Sequence, residues 1–261
     1  MNYHKDTSSI LVGSSISIRS RVRIPPRSPY INRKQIKIMD TISSQNEYRE
    51  KLIMDAINIY YYGSCVYGTF CYNSDYDFVV VLPDNLKEEY RSYYPMDQVT
   101  FMVDGEKFDY NIYFESDWIK ELNSNTVTAM EIWSYGIDSE YIVKQQKWYD
   151  ANIDPKKIRH SFSLVASNSW VKTKKKLTIE KDYNPYIAKK SLWHSLRIYL
   201  FGIQMMRYGR IVDFTVANKY YNEIINSPND WEYLKNKYQP LRNELHSQFK
   251  TEEYLSKLRG D

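Results

Sequence analysis

The spacing of apolar residues changes within the first half of the chain, and each spacing predicts a different element. From about Asn46, apolar side chains recur at the spacing of one helix face and predict a helix that reaches Tyr60. The apolar positions of this predicted helix are Tyr48, Leu52, Ile53, Ala56, Ile57 and Tyr60. Residues 78–82 instead form a nearly continuous apolar run, as expected for a central strand, and turn residues end it at 83–85.

A β-hairpin is predicted around Asp104-Gly105, a dipeptide that favours the tight turn between two antiparallel strands. The flanking segments, 98–103 and 107–114, contain the β-branched and aromatic residues that favour strands. The second predicted strand contains Asp109.

Helical signals dominate after about residue 154. Asp154 followed by Pro155 is typical of a helix N-terminus and predicts a long helix to about Thr173. A lysine cluster there is expected to interrupt or end the helix, and two interpretations of it are open: a solvated helix face, or a surface that binds a polynucleotide backbone. The cluster consists of Lys172, Lys174, Lys175 and Lys176.

Three more helices are predicted towards the C-terminus. Pro185 opens one that runs to Tyr208, and Gly209 is typical of a helix stop. The remaining two are predicted at residues 231–238 and 240–258, with Pro240 as the first residue of the second.

Composition is that of a soluble globular protein: the 261 residues are 43% hydrophobic and 26% charged. No apolar run reaches the roughly 18 residues of a membrane-spanning helix, so we expect no membrane association. The two cysteines, Cys65 and Cys71, are too few for a disulfide framework. Reduced thiols are expected in the cytoplasm, with the nucleus as the alternative location.

The net charge of +4 is concentrated at the N-terminus, since residues 1–40 hold eight basic and two acidic side chains. This segment has three prolines and no sustained period. Two interpretations are open: a basic arm that binds nucleic acid or acts as a targeting signal, or a disordered, dispensable extension with Met39 as an internal start. We expect the extension, followed by two domains at 41–150 and 151–261.

Asp75 and Asp77 are the first candidates for chemistry. Two carboxylates at this spacing share one face of a strand and repel each other unless a cation lies between them. Mg²⁺ prefers carboxylate oxygens together with substrate phosphates. If the predicted strands are neighbours, Asp109 reaches the same pocket, where it would hold a second ion or act as the general base.

A small-residue turn precedes these acids. Gly63 and Gly68 would keep side chains away from a nucleotide, and Ser64 begins a short predicted helix whose hydroxyl and following amides would take a triphosphate oxygen. The spacing Gly-Ser-x3-Gly-x5-Ser-Asp-x-Asp, followed by an apolar strand and a later strand Asp, resembles the DNA polymerase β-like nucleotidyltransferase superfamily. The resemblance covers roughly residues 58–115.

The resemblance implies an α+β fold: a small mixed β-sheet, the palm, with flanking helices, followed by a mostly helical C-terminal half. It also implies two Mg²⁺ ions, with Mn²⁺ as an alternative, held by Asp75, Asp77 and Asp109. Gly63 and Ser64 would bind the triphosphate.

A weaker resemblance lies in the helical half. The sequence from Lys189 to Arg197 is similar to the phage and bacterial branch of the superfamily that is linked to RNA repair. This similarity implies that Lys190, His194 and Arg197 share one helix face and bind the triphosphate across a cleft. The alternative is an amphipathic helix with an apolar core face and a solvated basic face.

The predicted function is Mg²⁺-dependent transfer of a nucleoside monophosphate from a nucleoside triphosphate, ATP among them, to a hydroxyl acceptor, with release of pyrophosphate. The expected acceptor is RNA, either a tRNA or an RNA end. A protein or a small molecule is an alternative acceptor. Synthesis of a nucleotide messenger is an alternative reaction. The alternative from a different class is a non-catalytic nucleotide-binding module, such as the antitoxin of a toxin–antitoxin pair. The sequence does not predict the oligomeric state.

Overall fold

The computed structural model describes residues 40–93, 97–136 and 139–254. All of them belong to one compact unit, Ile36–Asp261. The predicted N-terminal extension lies outside the described residues apart from Asp40, and the predicted domain boundary at residue 150 stays a prediction. Within the described ranges, no helix has both the length and the apolar character needed to cross a bilayer.

In the described part of the chain, five strands form one mixed sheet in the order β3-β4-β2-β1-β5. Their bounds are β1 Asn58–Tyr62, β2 Tyr76–Leu82, β3 Gln98–Val103, β4 Glu106–Phe114 and β5 Ile142–Gln145. The central β2 pairs antiparallel with β1 and parallel with β4, and β3 pairs antiparallel with β4. The predicted hairpin is confirmed, and Asp104 and Gly105 have the positive φ angles, 52° and 79°, that its tight turn needs.

The apolar run in β2 is continuous because both faces of this strand are covered. Residues 79–82 are fully buried. An alternating pattern would put polar side chains into the core on one of these faces. The central position predicted for this strand is therefore confirmed.

Over the same described ranges, nine α-helices surround and follow the sheet. Their bounds are α1 Asp40–Asp55, α2 Ser64–Tyr67, α3 Lys87–Tyr93, α4 Glu115–Asn123, α5 Val127–Trp133, α6 Pro155–Thr178, α7 Pro185–Tyr208, α8 Asn218–Ile225 and α9 Trp231–Thr251. The predicted α+β class and the mostly helical C-terminal half are confirmed.

The long helices α6 and α7 begin and end where the sequence predicts caps. The Asp154 carboxylate accepts hydrogen bonds from the backbone N–H groups of the first turn of α6, and the Asn184 side chain caps α7 in the same way. Gly209 follows α7 in the left-handed conformation, φ 72°. The two helices pack closely, since Ser195 Oγ donates a hydrogen bond to the carbonyl of Ala166 at 2.7 Å.

The first predicted helix ends earlier than its apolar spacing indicates. Helix α1 stops at Asp55, and Tyr60 lies in β1 opposite Val79. The helical spacing continued by coincidence into a strand, because apolar residues of a buried strand also satisfy part of a helical pattern.

The lysine cluster does not end α6, which continues to Thr178. Lysine has good helix propensity, and Lys172, Lys174 and Lys175 are exposed, so nothing in the cluster opposes the helix. Thr173 is fully buried, and its hydroxyl donates to the carbonyl of Ala188 in α7.

The last two predicted helices are one helix, α9, with Pro240 inside it. A proline removes one backbone hydrogen bond and disfavours a helix interior. Here Tyr238, Leu245 and Phe249 are buried on the same helix, on both sides of the proline. Packing of this apolar face outweighs the local preference; residues 255–258 of the prediction lie outside the described residues.

Candidate active site

The turn between β1 and α2 brings the backbone against the acidic residues. Gly63 has φ 68° and ψ −143°, a conformation that side-chain-bearing residues rarely adopt. A Cβ atom built at this position would lie 2.1 Å from Asp77 Oδ2. Glycine is therefore required here both for the backbone angle and for the approach of the Asp77 carboxylate.

Asp77 and Asp109 are direct neighbours in the parallel β2–β4 ladder. The sequence prediction that Asp109 lies on a strand beside the Asp-x-Asp segment is confirmed. Asp75 differs from the prediction, because β2 begins at Tyr76 and Asp75 precedes the strand. Asp109 is buried, and Thr100 on β3 donates a hydrogen bond to its Oδ1 at 2.5 Å.

Asp77 has a strongly perturbed carboxyl group. Burial, together with the negative charges of Asp109 and Asp75, raises the pKa of Asp77 to about 6. Lys190 and Lys107 act in the opposite direction. The group therefore lies among like charges that are only partly compensated.

Lys107 lies between two of the acids, a contact that the sequence analysis did not predict. Its Nζ donates to Asp75 Oδ2 at 2.8 Å and to Asp109 Oδ2 at 2.6 Å. The signal was available in the sequence: Lys107 precedes Asp109 by two residues on a strand, so both side chains share one face.

Among the three residues predicted on α7, Lys190 is the one exposed to solvent. Its charge lowers the pKa of Asp77, so it acts on the acidic site from the helical half. Its Nζ lies 5.4 Å from the ring centroid of Tyr186, which is itself exposed. A positive charge and an aromatic ring thus face solvent together near the acids.

His194 is a hydrogen-bond acceptor in this structure. Its Nδ1 lies 2.7 Å from Arg197 Nη2. Burial lowers the pKa of His194 well below its usual value, and the positive charges of Arg197 and Lys172 add to this effect. The imidazole is therefore neutral near pH 7, and its Nδ1 accepts a hydrogen bond from the guanidinium.

Residues 43–147 match the profile of a family described as nucleotidyltransferase domain. This segment is a nucleotidyltransferase domain of the DNA polymerase β-like superfamily. The expectation of a nucleotidyltransferase enzyme is confirmed at this level.

Two of the solved structures that are similar to the chain have low sequence identity with it. One is a spectinomycin adenyltransferase from Enterococcus faecialis with ATP and spectinomycin. It has 14% sequence identity and a TM-score of 0.38, and the similarity covers 80% of this chain and 99% of that chain.

The other is a nucleotidyltransferase-like protein from Exiguobacterium sibiricum, with 12% identity, a TM-score of 0.29, and coverage of 80% of this chain and 73% of that chain. No curated protein sequence matches the chain.

Arg197 joins the nucleotidyltransferase domain to the helical half from inside the protein. It is buried, its guanidinium carbon lies 3.4 Å from the ring centroid of Tyr67, and its Nη2 lies 4.0 Å from Glu131 Oε1. Tyr67 in turn donates a hydrogen bond to Glu131 Oε2 at 2.5 Å. The structure does not bring the Arg197 guanidinium to the solvent-facing side of the acidic site, whereas it does bring Lys190 there.

The acids of the nucleotidyltransferase domain fit a divalent cation in their donor chemistry. Their oxygens are the type that Mg²⁺ prefers, and a cation, the Lys107 ammonium, already lies between Asp75 and Asp109. Among the described residues, no three acidic, His or Cys side chains are placed to hold a metal ion as they stand. Phosphates and water commonly complete such magnesium sites.

Proposed function

We propose that this protein transfers a nucleoside monophosphate from a nucleoside triphosphate to a hydroxyl group of RNA in a Mg²⁺-dependent reaction. The observation that carries the proposal is the pairing of Asp77 with Asp109 directly beside the Gly63 turn. Carboxylates and a close backbone approach are the two features that a metal-bound triphosphate requires.

Each residue then has a defined task. The backbone at Gly63 and Ser64 admits the triphosphate, because glycine leaves room beside the Asp77 carboxylate. Asp75, Asp77 and Asp109 would hold the divalent cation, which when bound neutralises phosphate charge and lowers the pKa of the acceptor hydroxyl. The hydroxyl oxygen would bond to the α-phosphorus as a general base takes its proton. The bond between the α-phosphorus and the oxygen that bridges to the β-phosphorus would break, and that oxygen would leave with pyrophosphate. The role of Asp109 as general base stays a prediction.

Lys190 is proposed to contact the triphosphate, since it is exposed and its charge already acts on Asp77. His194 and Arg197, which were predicted to share this task, have a different proposed role. Arg197 is buried against Tyr67, and the neutral His194 accepts its hydrogen bond. They position α7 against the turn that binds the nucleotide.

RNA is favoured as acceptor by exposed basic and aromatic side chains of the helical half. Lys172, Lys174 and Lys175 are exposed on α6, and Lys172 acts electrostatically on His194 of α7. The exposed ring of Tyr186 lies beside Lys190. Positive charge that follows a phosphate backbone and aromatic rings that stack on bases are the usual means of binding single-stranded RNA.

A small hydroxylated molecule is the second candidate acceptor. A cavity of about 410 Å³ is lined by Tyr135, Tyr141, Arg210, Asp213 and Phe214, among others. This volume lies within the range of about 300–1,000 Å³ that is typical of small-ligand sites, and polar side chains in the lining can donate hydrogen bonds to hydroxyl groups or accept them.

The test is transfer of label from each of four α-labelled nucleoside triphosphates, with Mg²⁺, to total RNA, protein or aminoglycosides. We expect labelled RNA from the wild type and none from Asp75→Ala or Asp77→Ala. Asp97→Ala, an exposed acid, is the matched control and should retain activity. Label on a small molecule alone would reassign the acceptor. Absence of both label and pyrophosphate would favour the non-catalytic binding module.

A further inference from the structure

Lys107 holds an unusual position for a lysine in a site proposed to bind a divalent cation. Its ammonium bridges Asp75 and Asp109 with contacts of 2.8 and 2.6 Å. Hydrogen bonds between an ammonium and a carboxylate at such distances are the strong, charge-assisted type. One positive charge is therefore already shared between two of the three acids.

The sheet register places Lys107 there. Tyr76 pairs with Phe108 and Asp77 with Asp109 in the parallel ladder. Continued by one residue, this register puts Lys107 beside Asp75, on the face that Asp109 shares. The bridge therefore follows from the same pairing that assembles the acids.

In the metal-free protein each carboxylate oxygen of Asp109 already accepts a hydrogen bond. Thr100 donates to Oδ1 at 2.5 Å, and Lys107 donates to Oδ2 at 2.6 Å. A divalent cation that binds between Asp75 and Asp109 must take the place of the ammonium, because the ammonium lies 2.8 Å from Asp75 Oδ2 and 2.6 Å from Asp109 Oδ2, in the space between the two carboxylates.

We propose that Lys107 is a built-in counter-ion that offsets part of the negative charge of Asp75 and Asp109 in the metal-free protein and competes with the divalent cation for them. This inference rests on the metal site of the proposed function. It adds a displacement step: the ammonium leaves both carboxylates as the cation enters.

The displacement is sterically open. The Lys107 side chain is 39% exposed, and β4 begins immediately before it, at Glu106. Rotation of a long side chain into water at the end of a hairpin removes no buried apolar contact from the core. The ammonium can thus move without unfolding the strand.

Binding of Mn²⁺ alone, without nucleotide, measured by electron paramagnetic resonance, tests the competition. Lys107→Met should bind Mn²⁺ about tenfold more tightly than the wild type, the factor expected when a competing interaction of about 1.4 kcal/mol is removed. Lys107→Arg should resemble the wild type because it keeps the charge. Lys87→Met is the matched control, since Lys87 also bridges to an aspartate, Asp117, at 2.6 Å.

If the wild type binds Mn²⁺ and Lys107→Met binds it equally well or more weakly, this inference is overturned and the proposed metal site is left intact. Binding by the variant alone supports it. Absence of Mn²⁺ binding in both proteins overturns the inference together with the metal site.

A second measurement uses the wild type and decides the matter if the variant does not fold. Mg²⁺ should increase the rate at which an amine-reactive reagent modifies Lys107, measured by peptide mass spectrometry, and should leave the rate at Lys87 unchanged. An equal rate at Lys107 with and without saturating Mg²⁺ overturns the displacement.

Discussion

Gly63 lies so close to Asp77 that no side chain fits between them, since a Cβ atom at Gly63 would lie 2.1 Å from Asp77 Oδ2. The contact joins the turn after β1 to a carboxylate on β2. The conformation of the turn and the position of the Asp77 carboxylate therefore depend on each other.

Gly63→Ala should therefore abolish nucleotidyl transfer and lower the free energy of unfolding by about 1–3 kcal/mol. The added methyl displaces Asp77, and alanine is strained at φ 68°. The control is Gly136→Ala, where φ is 76° but, chain neighbours aside, no atom of the described residues lies within 4 Å of the added Cβ. Transfer rates and urea unfolding check the pair. Equal activity in the two variants would contradict the proposed role of the turn.

Asp77→Asn should stabilise the metal-free protein at neutral pH while abolishing transfer. The pKa of Asp77 rises from 3.8 in the unfolded chain to about 6 in the folded one, so folding binds a proton and stability falls as pH rises through this window. Above pH 6 the variant should be more stable by about 2 kcal/mol, after allowance for partial exposure. The difference should vanish near pH 4.

Asp117→Asn is the control, because its effect on stability should have the opposite sign to that of Asp77→Asn. The hydrogen bond from Lys87 lowers the pKa of Asp117, so its ionised form stabilises the fold above the unfolded pKa. Thermal unfolding in the presence of a chelator from pH 3 to 8 compares both variants with the wild type. A pH-independent gain for Asp77→Asn would exclude its ionisation as the cause.

Lys190→Met should raise the KM for the nucleoside triphosphate by about fivefold, with a smaller effect on stability, because an exposed charge contributes about 1 kcal/mol or less to folding. Lys219→Met is the matched control: Lys219 is also exposed on a helix, with its Nζ 5.0 Å from the ring centroid of Tyr220. Steady-state kinetics decide, and an unchanged KM would remove Lys190 from the nucleotide site.

Arg197→Met should destabilise the protein by about 3–5 kcal/mol, since it leaves Glu131 buried without a counter-charge. Adding Glu131→Gln should recover at least half of this loss. Arg207→Met, which breaks the more exposed pair with Glu252, should cost about 1 kcal/mol or less. Urea unfolding of the single and double variants completes the cycle. If the losses of stability in Arg197→Met and Glu131→Gln simply add in the double variant, the two side chains are not coupled.

The sequence contained enough information for the sheet and for the acids. The continuous apolar run marked the buried β2, and Asp104-Gly105 marked the hairpin that carries Asp109. These signals are local, because a strand buried on both faces and a turn with two positive φ angles each restrict residue types at fixed positions.

The contacts that were missed depend on partners distant in the chain. Lys107 bridges Asp75 and Asp109 only because β2 and β4 pair in parallel. Arg197 looked like one of three basic residues on a helix face, but the position of Glu131 on α5 determines that it is buried. Pro240 marked a helix end that packing of α9 overrides. Periodicity within one segment carries none of this information.

Because the site depends on the parallel pairing of β2 with β4, the return of enzymatic activity during refolding reports when this pair of strands has formed. Asp77 and Asp109 belong to one ladder, yet the chain between them must first form α3 and β3 and return to the sheet. Such long-range pairing forms late relative to local helices because the intervening loop must close first. After dilution from denaturant, helical signal should return before transfer activity, and the delay between them measures closure of the sheet.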